Sequence, residues 1–171
     1  MNNDLKIQIQ ELSKIVLLSY IAEQIVNNNS EQFVQYPKLR ESLDFCWEWI
    51  EQKEVDIDKI YEFLDDEDEN DLVGYMLYSK EEKEKKELSA LLGIVSYISY
   101  NILTIKKEPI PQFLEIDEKY YNTLMTDIST LNISNYNTEI INKIIKYCEN
   151  QIFMNKKHFN RSEFENYLRI G

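Results

Sequence analysis

The chain has 171 residues, which is the size of one domain. Its 3 Gly and 3 Pro argue against an all-β sandwich, which needs frequent turn residues, and against the glycine-rich loop of a dinucleotide-binding fold. With 43% hydrophobic and 29% charged residues, the composition is that of a globular chain. The sequence therefore predicts an all-α fold. We expect a single compact domain over residues 1–171, with a possible sub-division into 1–108 and 112–171 at Pro109 and Pro111.

The charge balance restricts the kind of partner. The chain has 31 Asp and Glu against 19 Lys and Arg, a net charge of −12. This argues against nucleic acid as a partner, because phosphates need a basic surface, and against an anionic membrane surface. It favours a basic protein partner, since opposite charges steer association. Acidity that serves only solubility remains the alternative.

Two helices are predicted in the first third of the chain. Apolar residues at three- and four-residue spacing predict a helix over residues 4–26, and the polar run 27–30 is expected to end it. A second helix starts near Pro37, since proline is tolerated in a first turn. This helix is apolar around much of its circumference. Either it packs on two sides, or Phe45 and Trp49 are partly exposed. Its predicted core stripe is Leu39, Leu43, Cys46 and Ile50.

An acidic run separates the next two predicted helices, over residues 56–64 and 71–78, and Asp56 is the expected N-cap of the first. The run, residues 65–71, has six acids in seven positions. The calcium loop of an EF-hand does not fit it, because the position that needs Glu would be Leu77, and no metal site is predicted. The run is then either a solvated loop or a binding surface for a basic partner.

The longest predicted helix covers residues 80–106 and is the expected centre of a bundle of seven or eight helices. Ser79 with Glu82 has the pattern of a capping box at its start. Residues 88–105 carry no charge and reach the lower limit for a bilayer span. The polar side chains among them, and the need of the other helices for a partner, favour a buried helix. The predicted core stripe is Leu88, Leu91, Val95, Ile98, Ile102 and Ile105.

Three more helices are predicted after the two prolines. The first two cover residues 117–130 and 135–154. The last is a short helix that starts at Asn160, which has with Glu163 the pattern of an N-terminal cap. They complete the predicted bundle, and no repeat of fixed period suggests a solenoid.

The few reactive side chains do not suggest catalysis. Cys46 and Cys148 lie in apolar settings, and we expect both to be buried, reduced thiols. The single histidine, His158, is expected to have a surface or capping role. No catalytic residue and no cofactor is predicted. The N-terminus lacks the pattern of a signal peptide, so we expect the protein in the cytoplasm.

Two segments resemble a known family. Residues 39–50 read L-R-E-S-L-D-F-C-W-E-W-I, and residues 60–71 read I-Y-E-F-L-D-D-E-D-E-N-D. The Cys-x-x-Trp of Cys46 and Trp49, followed by Tyr-x-x-Leu-Asp and the acidic run, is similar to the all-α immunity proteins of bacterial polymorphic toxin systems, in particular the sixth numbered immunity family. The alternative is an uncharacterised bacterial helical protein with a metal-dependent or hydrolytic activity.

The resemblance implies a cytoplasmic, non-enzymatic protein that binds a cognate toxin and neutralises it by protein–protein contact. We expect the toxin domain to be basic, and the region from Trp49 through Asp71 to form part of the contact surface, with Trp49 as an aromatic anchor. The residues predicted to contact the toxin are Trp49, Asp65, Asp66, Glu67, Asp68, Glu69 and Asp71.

Overall fold

A computed structural model of the chain describes residues 3–51, 54–66, 70–133, 136–154 and 159–170. Within these ranges the only regular elements are helices, which confirms the predicted all-α bundle. The described helices outnumber the predicted ones because of one four-residue helix, α2. The nine α-helices are α1 (Asn3–Asn28), α2 (Ser30–Phe33), α3 (Pro37–Ile50), α4 (Lys59–Leu64), α5 (Leu72–Tyr78), α6 (Glu82–Lys106), α7 (Tyr120–Ser129), α8 (Thr138–Phe153) and α9 (Arg161–Ile170), with a 3₁₀ turn at Gln112–Leu114.

Helix α6 lies at the centre of the bundle because its uncharged part is apolar on every face. Helices α1, α3, α5 and α7 all pack against it. Leu91 and Ile98 are fully buried, as predicted for the core stripe. The prediction is wrong for Ile105, which is 64% exposed because the last turn of α6, from Thr104 onward, faces solvent.

Among the described residues, α6 is also the one helix long and apolar enough to cross a membrane by length and composition. Of its most apolar 18-residue window, 61% is buried inside the protein. The apolar side chains of α6 therefore form the contacts of the bundle core, which is the arrangement that the sequence predicts for a central helix.

The start of α6 differs from the predicted capping box. The helix begins at Glu82, and Oγ of Ser79 donates a hydrogen bond to Oε2 of Glu84 at 2.6 Å. The hydroxyl of Tyr36 donates to Oε1 of the same carboxylate at 3.0 Å. Glu84 is buried, and a buried carboxylate requires such donors. Ser79 therefore satisfies Glu84 instead of the N–H groups of the helix.

Short polar side chains set the starts of the smaller helices. Asn137 caps α8 by accepting a hydrogen bond from the backbone N–H three residues later, and Asn160 accepts from the N–H of Glu163 at 2.9 Å, which confirms the predicted cap of α9. Asp56 does not cap α4. Its Oδ1 accepts from the N–H of Asp58 at 3.1 Å in a turn before the helix, so α4 starts later than predicted.

Both cysteines are free and buried, as predicted. Burial raises the pKa of the Cys46 thiol and raises that of Cys148 to about 12. A thiol that stays protonated at neutral pH is a poor nucleophile, so these side chains serve packing. His158 and the predicted helix start at residue 135 lie outside the described residues.

The burial of α6 predicts a large difference in stability between substitutions in its buried middle and in its exposed last turn. Leu91→Asp or Ile98→Asp should lower the free energy of unfolding by more than about 4 kcal/mol, because each places an unpaired charge in the core. Ile105→Asp, on the same helix, should cost less than about 1 kcal/mol, mainly from a negative charge near the helix C-terminus. Urea denaturation followed by circular dichroism measures all three. Core variants as stable as Ile105→Asp would contradict the central position of α6.

Candidate partner-binding surface

The net charge of the chain is concentrated in residues 41–71, called here the acidic segment. This segment contains 14 of the 31 Asp and Glu but only two of the 19 Lys and Arg. Its charge is therefore −12, equal to that of the whole chain, and the other 140 residues hold 17 acids and 17 bases. In the structure the acidic segment forms most of α3, all of α4 and the connection to α5.

Helix α3 buries its apolar residues on two sides and turns its acids to solvent. The predicted core stripe is buried, and so are Phe45 and Trp47, which is the two-sided packing of the first predicted arrangement. Of the second arrangement, exposure of Phe45 is wrong and partial exposure of Trp49 is confirmed. Trp49 is half-buried and packs against the core, so less of its ring is available to a partner than predicted. The acids on the exposed face of α3 are Glu41, Asp44 and Glu48.

Helix α4 carries a second set of exposed acids. It is a short helix whose buried residues, Ile60, Phe63 and Leu64, hold it against the bundle. The acids within and beside it, Asp58, Glu62 and Asp65, are all exposed.

The acidic run 65–71 is tied to the fold at both ends. Asp66 is half-buried and forms an ion pair with Lys38. Asp71 is buried, and its two carboxylate oxygens accept hydrogen bonds from the N–H of Gly74 at 2.7 Å and from the N–H of Asp66 at 2.8 Å. Asp71 therefore caps α5, and we revise its predicted role as a toxin contact. The predicted contacts Glu67, Asp68 and Glu69 lie outside the described residues.

A buried carboxylate that the sequence analysis missed holds α3 in place. Glu23, on α1, is 7% exposed. Its Oε1 accepts hydrogen bonds from Nη2 of Arg40 at 2.6 Å, from Nη2 of Arg161 at 2.7 Å and from Nε1 of Trp47 at 3.0 Å. Its Oε2 accepts from Nη1 of Arg40 at 2.8 Å. One carboxylate thus joins α1, α3 and α9.

Arg161 extends this group of contacts, called here the Glu23 cluster. Its guanidinium lies over the ring of Trp47, 4.9 Å from the centroid, which is cation–π geometry. Its Nε donates to Glu165 at 2.9 Å, and its backbone N–H donates to Oε1 of Glu51 at 3.0 Å. The sequence did contain a signal for this cluster. Only three of the 19 bases are arginine, and arginine is the residue suited to buried, multiply bonded ion pairs.

The cluster determines the ionisation of Glu23. Burial raises the pKa of this carboxyl, but the hydrogen bonds from Arg40 and Trp47 and the positive charges of Arg161 and Arg40 outweigh burial. The pKa therefore lies below its ordinary value of 4.5, and the carboxylate is ionised at neutral pH.

No metal-binding arrangement is formed by the acids of this surface as far as the structure describes it. In the described ranges no three His, Cys, Asp or Glu side chains lie close enough together to hold a metal ion. What the arrangement can do chemically is attract and bind cationic groups over an extended area.

Fold and surface together define an all-α protein whose net charge lies in one segment with exposed acids on two helices, α3 and α4. A family model described as "Immunity protein Imm6" matches residues 13–131, a range that contains α3, the acidic segment and α6. The chain therefore belongs to the Imm6 family of immunity proteins, and the resemblance seen in the sequence is confirmed. No curated protein and no solved structure matches the chain.

The Glu23 cluster predicts a specific dependence of stability on pH. Glu23→Gln should lower the free energy of unfolding at pH 7 by about 3 kcal/mol. This is near the lower end for breaking a buried ion pair, because Arg40 and Arg161 keep Asp44 and Glu165 as partners. As the pH falls from about 5 to 3, the unfolded state takes up a proton at Glu23 before the folded state does. The parent should therefore lose stability more steeply than the variant.

Urea denaturation at several pH values measures this difference. The matched control is Glu139→Gln, which removes an exposed carboxylate paired with Lys143 in the first turn of α8 and should shift the unfolding midpoint only slightly. Equal pH slopes for the parent and Glu23→Gln would contradict the stabilising role of the cluster.

Proposed function

We propose that this protein binds a cognate toxin and neutralises it by protein–protein contact through the exposed acids of α3 and α4, called here the acidic face. The observation that carries the proposal is the concentration of the entire net charge in the acidic segment, whose acids on these two helices are exposed. Membership of an immunity-protein family supports a toxin as the partner. The acidic face consists of Glu41, Asp44, Glu48, Asp58, Glu62 and Asp65, of which Asp44 is also paired with Arg40.

The charge of this face supports a basic toxin domain as the partner. A surface of one sign raises the association rate with a surface of the opposite sign, and the effect weakens as salt screens it. Carboxylates that lose their water in the complex slow dissociation when they are paired, whereas those at the rim act mainly on the association rate. A bound acidic protein also covers the cationic groups of the toxin, so neutralisation requires contact and no chemical reaction.

The proposed place of action is the cytoplasm, where a toxin that enters the cell would meet its inhibitor. Two free, buried thiols suit a reducing compartment. The proposed role is non-enzymatic, in keeping with a family of immunity proteins.

Neutralising part of the acidic face should slow association with the toxin. The test variant combines Asp58→Asn, Glu62→Gln and Asp65→Asn. These residues are chosen because their side chains are exposed, whereas Asp66 is paired with Lys38 and Asp71 is buried. The control combines Glu31→Gln, Glu81→Gln and Asp127→Asn, three exposed acids outside the acidic segment. The probe is the purified C-terminal domain of the toxin encoded beside this protein's gene.

At low salt the association rate of the test variant should fall by about tenfold, while the control changes it by less than about twofold. At about 1 M salt, where the screening length is about 3 Å, all three proteins should associate at similar rates. Co-expression with the toxin should show weaker protection by the test variant at equal protein levels. Equal rates at low salt and full protection by the test variant would remove the acidic face from the interface.

A further inference from the structure

Two exposed aromatic rings meet beside the acidic face. Tyr61 on α4 is 44% exposed, and Phe113 in the 3₁₀ turn is 39% exposed. Their ring centroids lie 5.6 Å apart with an angle of 79° between the planes, an edge-to-face contact. The two residues are far apart in the sequence, so only the fold brings them together. Large exposed rings are favoured as anchors in protein interfaces because they bury much area at little conformational cost.

Acidic residues flank both rings in the sequence, and α4 also carries the exposed Lys59. On α4 the N–H of Tyr61 bonds to the carbonyl of Asp58 at 3.1 Å, and the N–H of Asp65 bonds to the carbonyl of Tyr61 at 2.8 Å. Both acids therefore lie within one helical turn of the tyrosine. Phe113 lies in the middle of residues 108–118, which contain four acids and no base. The rings thus lie where two acidic stretches of the chain come together.

Within the protein, the side chain of Arg161 already contacts an aromatic ring and a carboxylate at the same time, at a buried site. The guanidinium of Arg161 lies over the ring of Trp47 while it donates to the carboxylate of Glu23 at 2.7 Å. A guanidinium can do both at once because its planar face stacks on an aromatic ring and its edge donates hydrogen bonds. Tyr61, with Asp58 and Asp65, offers the same two kinds of group at the surface.

We infer that the Tyr61–Phe113 pair is the aromatic anchor of the acidic face and receives an arginine side chain of the toxin. The guanidinium stacks on the ring of Tyr61 and pairs with Asp58 or Asp65. Phe113 supports the tyrosine ring from the edge and covers the apolar stem of the arginine. This inference rests on the proposed function, since it names the chemistry of the toxin group that the acidic face binds. It replaces Trp49, which is half-buried, as the predicted anchor.

A lysine would be bound less well at this position. Its ammonium group is compact and strongly hydrated, so it gains from the carboxylates but stacks weakly on a ring. The arrangement therefore selects arginine over lysine in the partner. Binding should require an aromatic ring at position 61 but should not require the tyrosine hydroxyl.

A series of substitutions at Tyr61 tests the inference, with the C-terminal toxin domain encoded beside this protein's gene as the probe in calorimetry and stopped-flow kinetics. Tyr61→Phe should leave Kd within about threefold of the parent. Tyr61→Leu keeps apolar contact with Phe113 but lacks the ring, and should raise Kd at least about tenfold. Tyr61→Ala should raise Kd at least about 30-fold, mainly through faster dissociation. Phe113→Ala should also weaken binding.

The matched control is Tyr78→Ala. Tyr78 is a more exposed tyrosine, at 65%, and lies outside the acidic segment at the end of α5, so its loss should leave Kd within about threefold. Thermal melts followed by circular dichroism identify any variant that fails to fold. Should Tyr61→Ala be among them, the comparison of Tyr61→Leu with Tyr61→Phe decides the question instead.

The outcomes separate the inference from the proposed function. If the parent binds the toxin domain and every Tyr61 variant binds equally well, the inference is wrong and the proposed function stands. If Tyr61→Leu binds as tightly as Tyr61→Phe, the ring is unnecessary and the arginine assignment is overturned. If the parent itself shows no binding, the proposed function fails and the inference fails with it.

Discussion

The need to cover α6 on all sides determines how the rest of the chain is arranged. The uncharged part of α6 is mostly apolar and needs neighbours on several sides, and α1, α3, α5 and α7 provide them. For α3 this means burial of its apolar residues on two sides. The carboxylates of α3 and α4 are then left on the outside. The acidic face is thus a consequence of the same packing that forms the core.

The Glu23 cluster adds a second constraint, because it sets where α3 lies relative to α1 and α9. Arg161 comes from α9, beyond the residues 13–131 that the family model matches, whereas Glu23, Arg40 and Trp47 lie within them. The C-terminal helix α9, which lies outside the matched range, therefore stabilises the part of the fold that lies within it. The guanidinium of Arg161, over the ring of Trp47 and beside the carboxylate of Glu23, fixes α3 internally. The inferred contact of a toxin arginine with Tyr61 would use the same chemistry at the surface.

The sequence predicts those features of the structure that depend on residues close together in the chain. The periodicity of α1 and α6 and the cap at Asn160 depend on residues a few positions apart, and these predictions are confirmed. The predicted capping box at Ser79 is wrong. The hydroxyl of Ser79 donates a hydrogen bond to the buried carboxylate of Glu84, and the helix begins only at Glu82. The apolar residues around the whole of α3 do not indicate which of its rings is covered, so the sequence alone cannot locate an aromatic anchor on this helix. The contact of Tyr61 with Phe113 and the cluster around Glu23 join distant segments, and no spacing within one helix encodes them.

The most direct test of the account is hydrogen–deuterium exchange of the protein alone and in complex with the proposed cognate toxin domain. Helix α4 has six residues, and such short, surface elements exchange readily in a free protein, so a bound partner should change their protection strongly. The account predicts slower exchange on binding at residues 57–66 and 110–117, with α7 and α8 unchanged. Protection confined to α7 and α8, with α4 exchanging as in the free protein, would contradict the acidic face as the interface.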